Sequence, residues 1–231
     1  ELQAGLSPLI DGYENWILAQ RKISESLPDH LRKISSDPLD QAEWTLNRLR
    51  SGLVMLGEES DRGDQARKAF TFMNLAMRDQ RIRSEVSLLR TTNPSMTVEK
   101  AIEEVESRGE SSASWRPFQL AFIIKQIPTI VEPWSDLRSS NIAAAELLFF
   151  PTGGGKTEAY LGLAAFVFAI RRLQGVVESS EGLLDGTAGV AVLMRYTLRL
   201  LTSQQFVRAT TLMCAVRWIL PRENSEEVIP K

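Results

Sequence analysis

Seven consecutive residues have the composition of a phosphate-binding loop: Pro151-Thr152-Gly153-Gly154-Gly155-Lys156-Thr157. Three glycines allow a tight turn whose backbone N–H groups face inward and form a nest for an anion. A lysine at this position can reach the β- and γ-phosphates of a nucleotide, and the hydroxyl beside it can ligate Mg²⁺. The run therefore predicts a site for ATP and Mg²⁺, in which residues 152–157 bind the nucleotide, Lys156 and Thr157 act in catalysis and Thr157 ligates the metal.

The segments on either side of the loop fit this interpretation. Residues 146–150 form a short apolar run that predicts a buried strand, and residues 158–173 form an alanine-rich run that predicts a buried helix. The positive end of that helix would face a bound phosphate. Phe150 stands where the common motif has its first glycine, which is the one departure from the pattern. A glycine-rich turn that binds nothing is the alternative, and the strand-loop-helix setting disfavours it.

The composition excludes several other kinds of site. The chain has 231 residues, a formal net charge of −2, one cysteine and one histidine. Cys214 alone cannot form a disulfide framework or a cysteine-based zinc site, and we expect it to be a small core residue on an apolar helix. His30 alone cannot build a catalytic triad or a histidine metal cluster, and we expect it on the surface. The charge disfavours a protein whose whole surface wraps nucleic acid but is compatible with a local basic groove.

No segment predicts a membrane span or a secretion leader. The longest apolar run, residues 159–170, is too short to cross a bilayer, which needs about 20 residues. No charged-then-apolar leader opens the sequence, so we expect no membrane partner and a cytoplasmic location. The chain begins at Glu1 without a methionine, and we expect it to be a piece of a longer protein.

The pattern divides the chain near residue 112, and residues 1–112 are predicted to be helical. Periodicity predicts one helix that Pro8 opens, a second over residues 38–56 and a third over residues 65–89, while Thr97 caps a short fourth helix. The Ala, Phe and Met stripe of the third helix is typical of core packing, with a partner-binding groove as the alternative. Residues 110–114 have the composition of a linker.

Residues 113–231 change to alternating strands and helices. Besides the segments next to the phosphate loop, we predict a helix over residues 115–130, a loop over 174–189, a strand over 190–194 and a long helix over 197–219. Such alternation is typical of a parallel sheet covered by helices. The predicted fold class is α/β, with an N-terminal all-helical region, 1–112, followed by the first part of a P-loop parallel-sheet lobe that binds ATP, 113–231.

Two other short motifs accompany the loop. Upstream lies Arg116-Pro117-Phe118-Gln119, in which the amide of Gln119 can make a paired contact with adenine. Downstream, residues 199–204 follow the predicted strand, and ligands bind beyond the carboxyl ends of parallel strands. Taken alone, the first motif is better explained as an ordinary helix start, and a solvated arginine explains Arg199 as well as a DNA contact does. The candidates to hold a DNA backbone are Arg195, Thr197, Arg199 and Gln204.

Together and in this order, the three motifs resemble those of the superfamily 2 helicases. Residues 116–119 are similar to the family's Q motif, residues 150–157 to its motif I, and the spacing of Arg199, Leu201 and Gln204 to its motif Ia. A closer resemblance, strongest over residues 115–212, is to the DrmA helicase-like family of bacterial DISARM anti-phage defence systems. It implies a RecA-like lobe, ATP and Mg²⁺ as cofactors, adenine recognition by Gln119, DNA as a partner, and a DrmB-like protein partner within a defence complex.

Two parts that ATP hydrolysis requires in this family are missing from the 231 residues. No Asp-Glu pair follows an apolar strand, because residues 190–194 are followed by Arg195 and the acid Asp185 lies in a predicted loop. A second lobe that would supply an arginine finger is also missing. We therefore expect part of an ATP-dependent DNA helicase or translocase, inactive as this stretch alone.

Two alternatives stay open. In one, the chain is an interaction module in which bound ATP orders a partner surface without being hydrolysed. In the other, it is a P-loop kinase or a transporter ATPase, which would leave the motifs at residues 116–119 and 199–204 unexplained.

Overall fold

Helices account for most of the structure. The computed structural model describes residues 2–109, 113–138, 145–151, 153–179, 182–195 and 199–219, except the side chains of 199–202 and 217–219. The chain forms two compact units, one of Glu1–Ala66 and Leu120–Glu146, the other of Arg67–Gln119 and Leu147–Lys231. The division into functional regions 1–112 and 113–231 stays a prediction.

The first unit is built on two long helices that pack together, α1 (Leu2–Glu25) and α2 (Asp29–Gly57). Apolar residues at helical spacing are buried along both, among them Ile10, Ile17, Leu46 and Leu49. The sequence places the helix starts too late, because Pro8 lies inside α1 and a second proline lies inside α2. An interior proline removes one backbone hydrogen bond, and the burial of a long apolar face outweighs that loss.

Two short helices replace the single helix that we predict over residues 115–130. They are α5 (Pro117–Ile124) and α6 (Ile127–Val131), named in chain order with α3 and α4 described below. The break follows from Pro128, which has no N–H to donate to the carbonyl of Ile124 four residues earlier. A Cβ on Gly52 of α2 would lie 2.2 Å from that carbonyl oxygen, so only glycine allows this close approach.

A cluster of largely buried charged side chains surrounds Glu146, the last residue of the first unit. Its carboxylate accepts hydrogen bonds from the guanidinium of Arg48 and, at 2.7 Å, from the ammonium of Lys125. Arg48 also donates to the carbonyl of Lys125 and to Oε1 of Gln126, both at 3.2 Å. Burial lowers the pKa of Arg48, and it lowers the pKa of Lys125 with the charge of Arg48 acting in the same direction. The shared carboxylate is therefore what makes two buried cations tolerable.

The second unit contains most of α3 (Asp61–Thr92) and all of α4 (Val98–Glu106). The Ala, Phe and Met stripe of α3 is buried, which confirms the prediction of core packing. Thr97 accepts a hydrogen bond from the N–H of Lys100 at 3.3 Å, which confirms the predicted helix cap. The two helices share a small apolar core of Ile82, Val86, Ala101 and Val105.

The one small sheet among the described residues lies where the sequence predicts a loop. Strands β1 (Val176–Ser179) and β2 (Gly182–Asp185) pair antiparallel, with Val176 opposite Asp185. Residues 146–150 and 190–194 are not strands, so both strand predictions are wrong. Nor are they buried as predicted: Leu147 and Phe149 are 82% and 90% exposed. An apolar run becomes a strand only where a neighbouring segment completes its backbone hydrogen bonds. Strands β1 and β2 are adjacent in sequence and complete each other's hydrogen bonds.

Two further helices of the second unit pack against each other, α7 (Lys156–Gln174) and α8 (Arg199–Ile219). Both confirm predicted helices, and helices together with a small sheet fit the α/β class in a coarse sense. Cys214 is exposed, so its prediction as a core residue is wrong. Leu212 and Ala215 supply the buried face of α8 instead, and a helix turns the intervening Cys214 away from it.

His30 is exposed, as predicted. Within the part of the chain that the structure describes, no helix is both long and apolar enough to cross a membrane.

Candidate nucleotide-binding site

The phosphate loop opens with a turn in which the N–H of Gly154 donates to the carbonyl of Pro151 at 3.0 Å. Gly153 and Gly155 have φ values of +80° and +95°, which side chains with a Cβ rarely adopt. Gly155 is the cap of α7, whose first N–H groups have no acceptor within the helix. These N–H groups form the kind of nest that binds an anion at a helix start. Thr152 lies outside the described residues.

The first turn of α5 holds two successive carbonyls of this loop. Arg116 Nη1 donates to the carbonyl of Gly154 at 2.8 Å, and Gln119 Nε2 donates to the carbonyl of Gly155 at 2.7 Å. In a trans peptide the C=O and the following N–H point in opposite directions. Holding both carbonyls therefore directs the N–H groups of Gly155 and Lys156 away from α5, which orients them for an anion before any ligand arrives.

Gln119 uses both ends of its amide within the protein. Its Oε1 accepts from the backbone N–H of Arg116 at 2.8 Å, which caps the start of α5, and its Nε2 donates to the carbonyl of Gly155. The side chain is almost fully buried, with 4% of the residue exposed. The structure thus places Gln119 beside the loop, as a residue that orders it. Adenine recognition by Gln119 stays a prediction and would require it to exchange these partners.

Two stacked aromatic rings flank the loop. The ring centroids of Phe118 and Phe150 are 3.8 Å apart, and the ring planes differ by 12°. A Cβ on Gly154 would lie 2.3 Å from Cδ1 of Phe150, so the phenylalanine ring occupies the space that a side chain at residue 154 would need. The departure of Phe150 from the usual glycine is accommodated because Gly154 leaves room for its ring.

Lys156 and Thr157 are the first two residues of α7. The ammonium of Lys156 donates to the carbonyl of Phe150 and, at 3.4 Å, to that of Pro151, so the side chain folds over its own loop. Thr157 is half-buried at the start of the helix. No three His, Cys, Asp or Glu residues in the described ranges come together to hold a metal ion. Ligation of Mg²⁺ by the Thr157 hydroxyl stays a prediction.

The structure describes only part of the predicted DNA contacts. Arg195 and Gln204 are exposed, the latter on α8. Arg199 begins α8, although its side chain is outside the description, and Thr197 lies outside the described residues altogether. Contact of these residues with DNA stays a prediction.

An ion pair that the sequence does not reveal joins α7 to α8. Glu158, the residue after Thr157, accepts a hydrogen bond from Arg208 of α8. Its other oxygen, Oε2, is buried without a hydrogen-bond partner among the described residues. Acids and arginines are common on helix surfaces, so nothing in the sequence distinguishes this pair from solvated residues.

A second unexpected contact reaches the site from α3. Trp115 Nε1 donates to Oδ1 of Asn74 at 2.7 Å, and Asn74 Nδ2 donates to the carbonyl of Phe70 at 2.8 Å. No sequence signal marks an asparagine inside a long helix. The spacing of Arg116 and Gln119 carries half of one, because a glutamine three residues after the cap can accept from the cap's N–H, as in a capping box, whereas Arg116 lacks the Ser or Thr oxygen of the other half.

Comparison with known proteins shows a relative that matches nearly the whole chain. The chain is 35% identical over 222 residues to the DISARM protein DrmA of Bacillus paralicheniformis (strain ATCC 9945a / NCIMB 11709 / CD-2). The match covers 95% of this chain and 18% of the relative, so the chain spans less than a fifth of that protein's length. No protein-family model matches the chain. The identity supports a DrmA-like relationship.

Proposed function

We propose that the chain is the ATP-binding part of an ATP-dependent DNA helicase or translocase of superfamily 2 that acts in anti-phage defence. The observation that carries the nucleotide assignment is the loop at residues 151–157, in which Arg116 and Gln119 hold the Gly154 and Gly155 carbonyls and Gly155 caps the start of α7. The relationship to a protein named DISARM protein DrmA supports the defence role.

The residues of the loop fit the phosphate groups of a nucleotide. The N–H groups of Gly155, Lys156 and Thr157 would bind phosphate oxygens, helped by the positive end of α7. Lys156 would leave the carbonyls of Phe150 and Pro151 for the β- and γ-phosphates, and the Thr157 hydroxyl would ligate Mg²⁺. A bound Mg²⁺ neutralises charge that develops on the phosphates during transfer.

The remaining parts of the proposal extend beyond this loop. Residues 113–231 would belong to the RecA-like lobe of the intact protein. The DNA backbone would contact Arg195, Thr197, Arg199 and Gln204. We also propose a cytoplasmic location and a DrmB-like protein partner. Hydrolysis needs an acid to hold Mg²⁺ and an arginine to stabilise charge, and we assign both to other parts of the intact protein.

The substitution Lys156→Ala in the intact protein tests the assignment. It removes a cation from the phosphate site, and hydrogen bonds to charged groups contribute about 1.5–3 kcal/mol. We expect ATP affinity to fall about tenfold to a hundredfold and DNA-stimulated phosphate release to disappear. Lys68→Ala, which removes an exposed lysine of α3, is the matched control and should change neither. Unchanged ATP turnover in folded Lys156→Ala protein would contradict the assignment of residues 151–157 as the ATP site.

An interaction module that binds ATP without consuming it is the second candidate. It is motivated by the helical character of residues 1–112. It predicts ATP binding with no steady phosphate release by the intact protein. Steady release that disappears when a downstream acidic pair is mutated would exclude it.

A further inference from the structure

We infer that Asn74 on α3 is a positioning residue of the nucleotide site, acting on the phosphate loop through Trp115. The inference rests on the proposed binding of a triphosphate. It assigns a role to part of the long helical region, for which the motifs themselves give none. No contact between Asn74 and the nucleotide is involved.

Asn74 is held in one orientation by its own helix. It belongs to α3, whose neighbouring residues Phe72 and Met73 are buried. Its Nδ2 donates to the carbonyl of Phe70 one turn earlier at 2.8 Å. The Oδ1 atom is thereby aimed at a fixed point from a rigid element, which is what positioning of a partner group requires.

The oxygen of Asn74 fixes the residue that begins the next connection. It accepts a hydrogen bond from Nε1 of Trp115 at 2.7 Å. Trp115 is half-buried and directly precedes Arg116, which donates its backbone N–H to Gln119 Oε1 at 2.8 Å. Because an indole N–H is a donor with a single direction, this contact determines where the chain enters α5.

The start of α5 is in turn what holds the loop. Arg116 and Gln119 bond the carbonyls of Gly154 and Gly155 at 2.8 and 2.7 Å. A shift of Trp115 moves Arg116 with it, since the two are adjacent, and releases the carbonyls whose orientation sets the anion-binding N–H groups. The fraction of loop in the binding-competent form then falls, and the apparent affinity falls by the same factor.

Four variants of the intact protein test the relay by titration with a fluorescent ATP analogue and with tripolyphosphate. Asn74→Leu removes the acceptor at similar size, and Trp115→Phe removes the donor while keeping an aromatic ring. We expect each to bind both ligands about fivefold more weakly, the effect of one neutral hydrogen bond. The double variant should be no weaker than either single variant, because both remove the same contact. Asn74→Asp keeps the acceptor for Trp115 but loses the bond from Nδ2 to the Phe70 carbonyl, so its affinity should lie between those of the wild type and Asn74→Leu.

Gln80→Leu is the matched control on the same helix. Gln80 is a buried glutamine of α3 that donates to the hydroxyl of Ser84 at 3.3 Å, so its loss should lower the melting temperature and leave affinity unchanged. Unchanged affinity in both Asn74→Leu and Trp115→Phe, or effects of the two that add, would overturn the relay alone. A wild-type protein that binds neither ligand would overturn the proposed function, and the relay with it.

Discussion

Gln119 offers a test of whether the loop is ordered by the protein or by the nucleotide base. Gln119→Ala removes two hydrogen bonds, to Arg116 N–H at 2.8 Å and to the Gly155 carbonyl at 2.7 Å. At about 1 kcal/mol for each neutral hydrogen bond, the loss is about 2 kcal/mol. Since 1.4 kcal/mol is a factor of ten, the competent fraction of the loop, and with it the apparent affinity, falls about 30-fold.

Ligands with different bases distinguish ordering of the loop by Gln119 from recognition of adenine by Gln119. Affinities of the Gln119→Ala protein for ATP, GTP and tripolyphosphate should fall by one common factor, because all three use the same nest of N–H groups. Gln119→Glu should bind all three ligands at least as weakly as Gln119→Ala does. It keeps the acceptor for the Arg116 N–H but places a carboxylate oxygen against the carbonyl of Gly155. Gln80→Ala, at another buried glutamine, should leave all three affinities unchanged.

An effect confined to ATP would show that Gln119 does not order the loop. If Gln119→Ala weakens ATP binding at least tenfold and leaves tripolyphosphate and GTP binding unchanged, Gln119 acts on adenine and its contacts with the loop carry no energy. The adenine contact that the Q-like motif implies would then be supported, with Gln119 exchanging its partners when ATP binds.

Three further predictions concern the same chain. Gly154→Ala should abolish triphosphate binding, measured by titration, because its Cβ would overlap the ring of Phe150. Adding Phe150→Ala removes that ring and should restore part of the binding. Glu146→Gln should destabilise the protein by about 3 kcal/mol in urea unfolding, since it leaves two buried cations unpaired, and a loss below about 1 kcal/mol would contradict this. Hydrogen bonds from Thr187 hold the pKa of Asp185 below its ordinary value. The stabilisation that these bonds give the folded protein is present at a pH above the ordinary pKa and is lost as the pH falls through the lowered pKa. Thr187→Val should raise the pKa of Asp185, measured by NMR titration.

The sequence predicts most helices because their signals are local. The buried stripe of α3 follows from apolar spacing alone, and the Thr97 cap from a residue type at a helix start. The strand predictions at residues 146–150 and 190–194 are wrong for a different reason. Apolar content shows only that a segment favours burial, whereas a strand also needs a partner segment. Which segments pair, as β1 does with β2, depends on the tertiary fold and not on apolar content.

The same distinction applies to the candidate site. The loop could be predicted from the sequence, since Gly153 and Gly155 adopt backbone angles that glycine alone takes readily and Lys156 follows them at the start of a helix. What holds the loop in place depends on packing: Gln119 donates to the Gly155 carbonyl, and Trp115 donates to Asn74, 41 positions away in the sequence. Backbone geometry depends on neighbouring residues and can be predicted from them, whereas a hydrogen bond between residues far apart in sequence forms only once packing has brought them together.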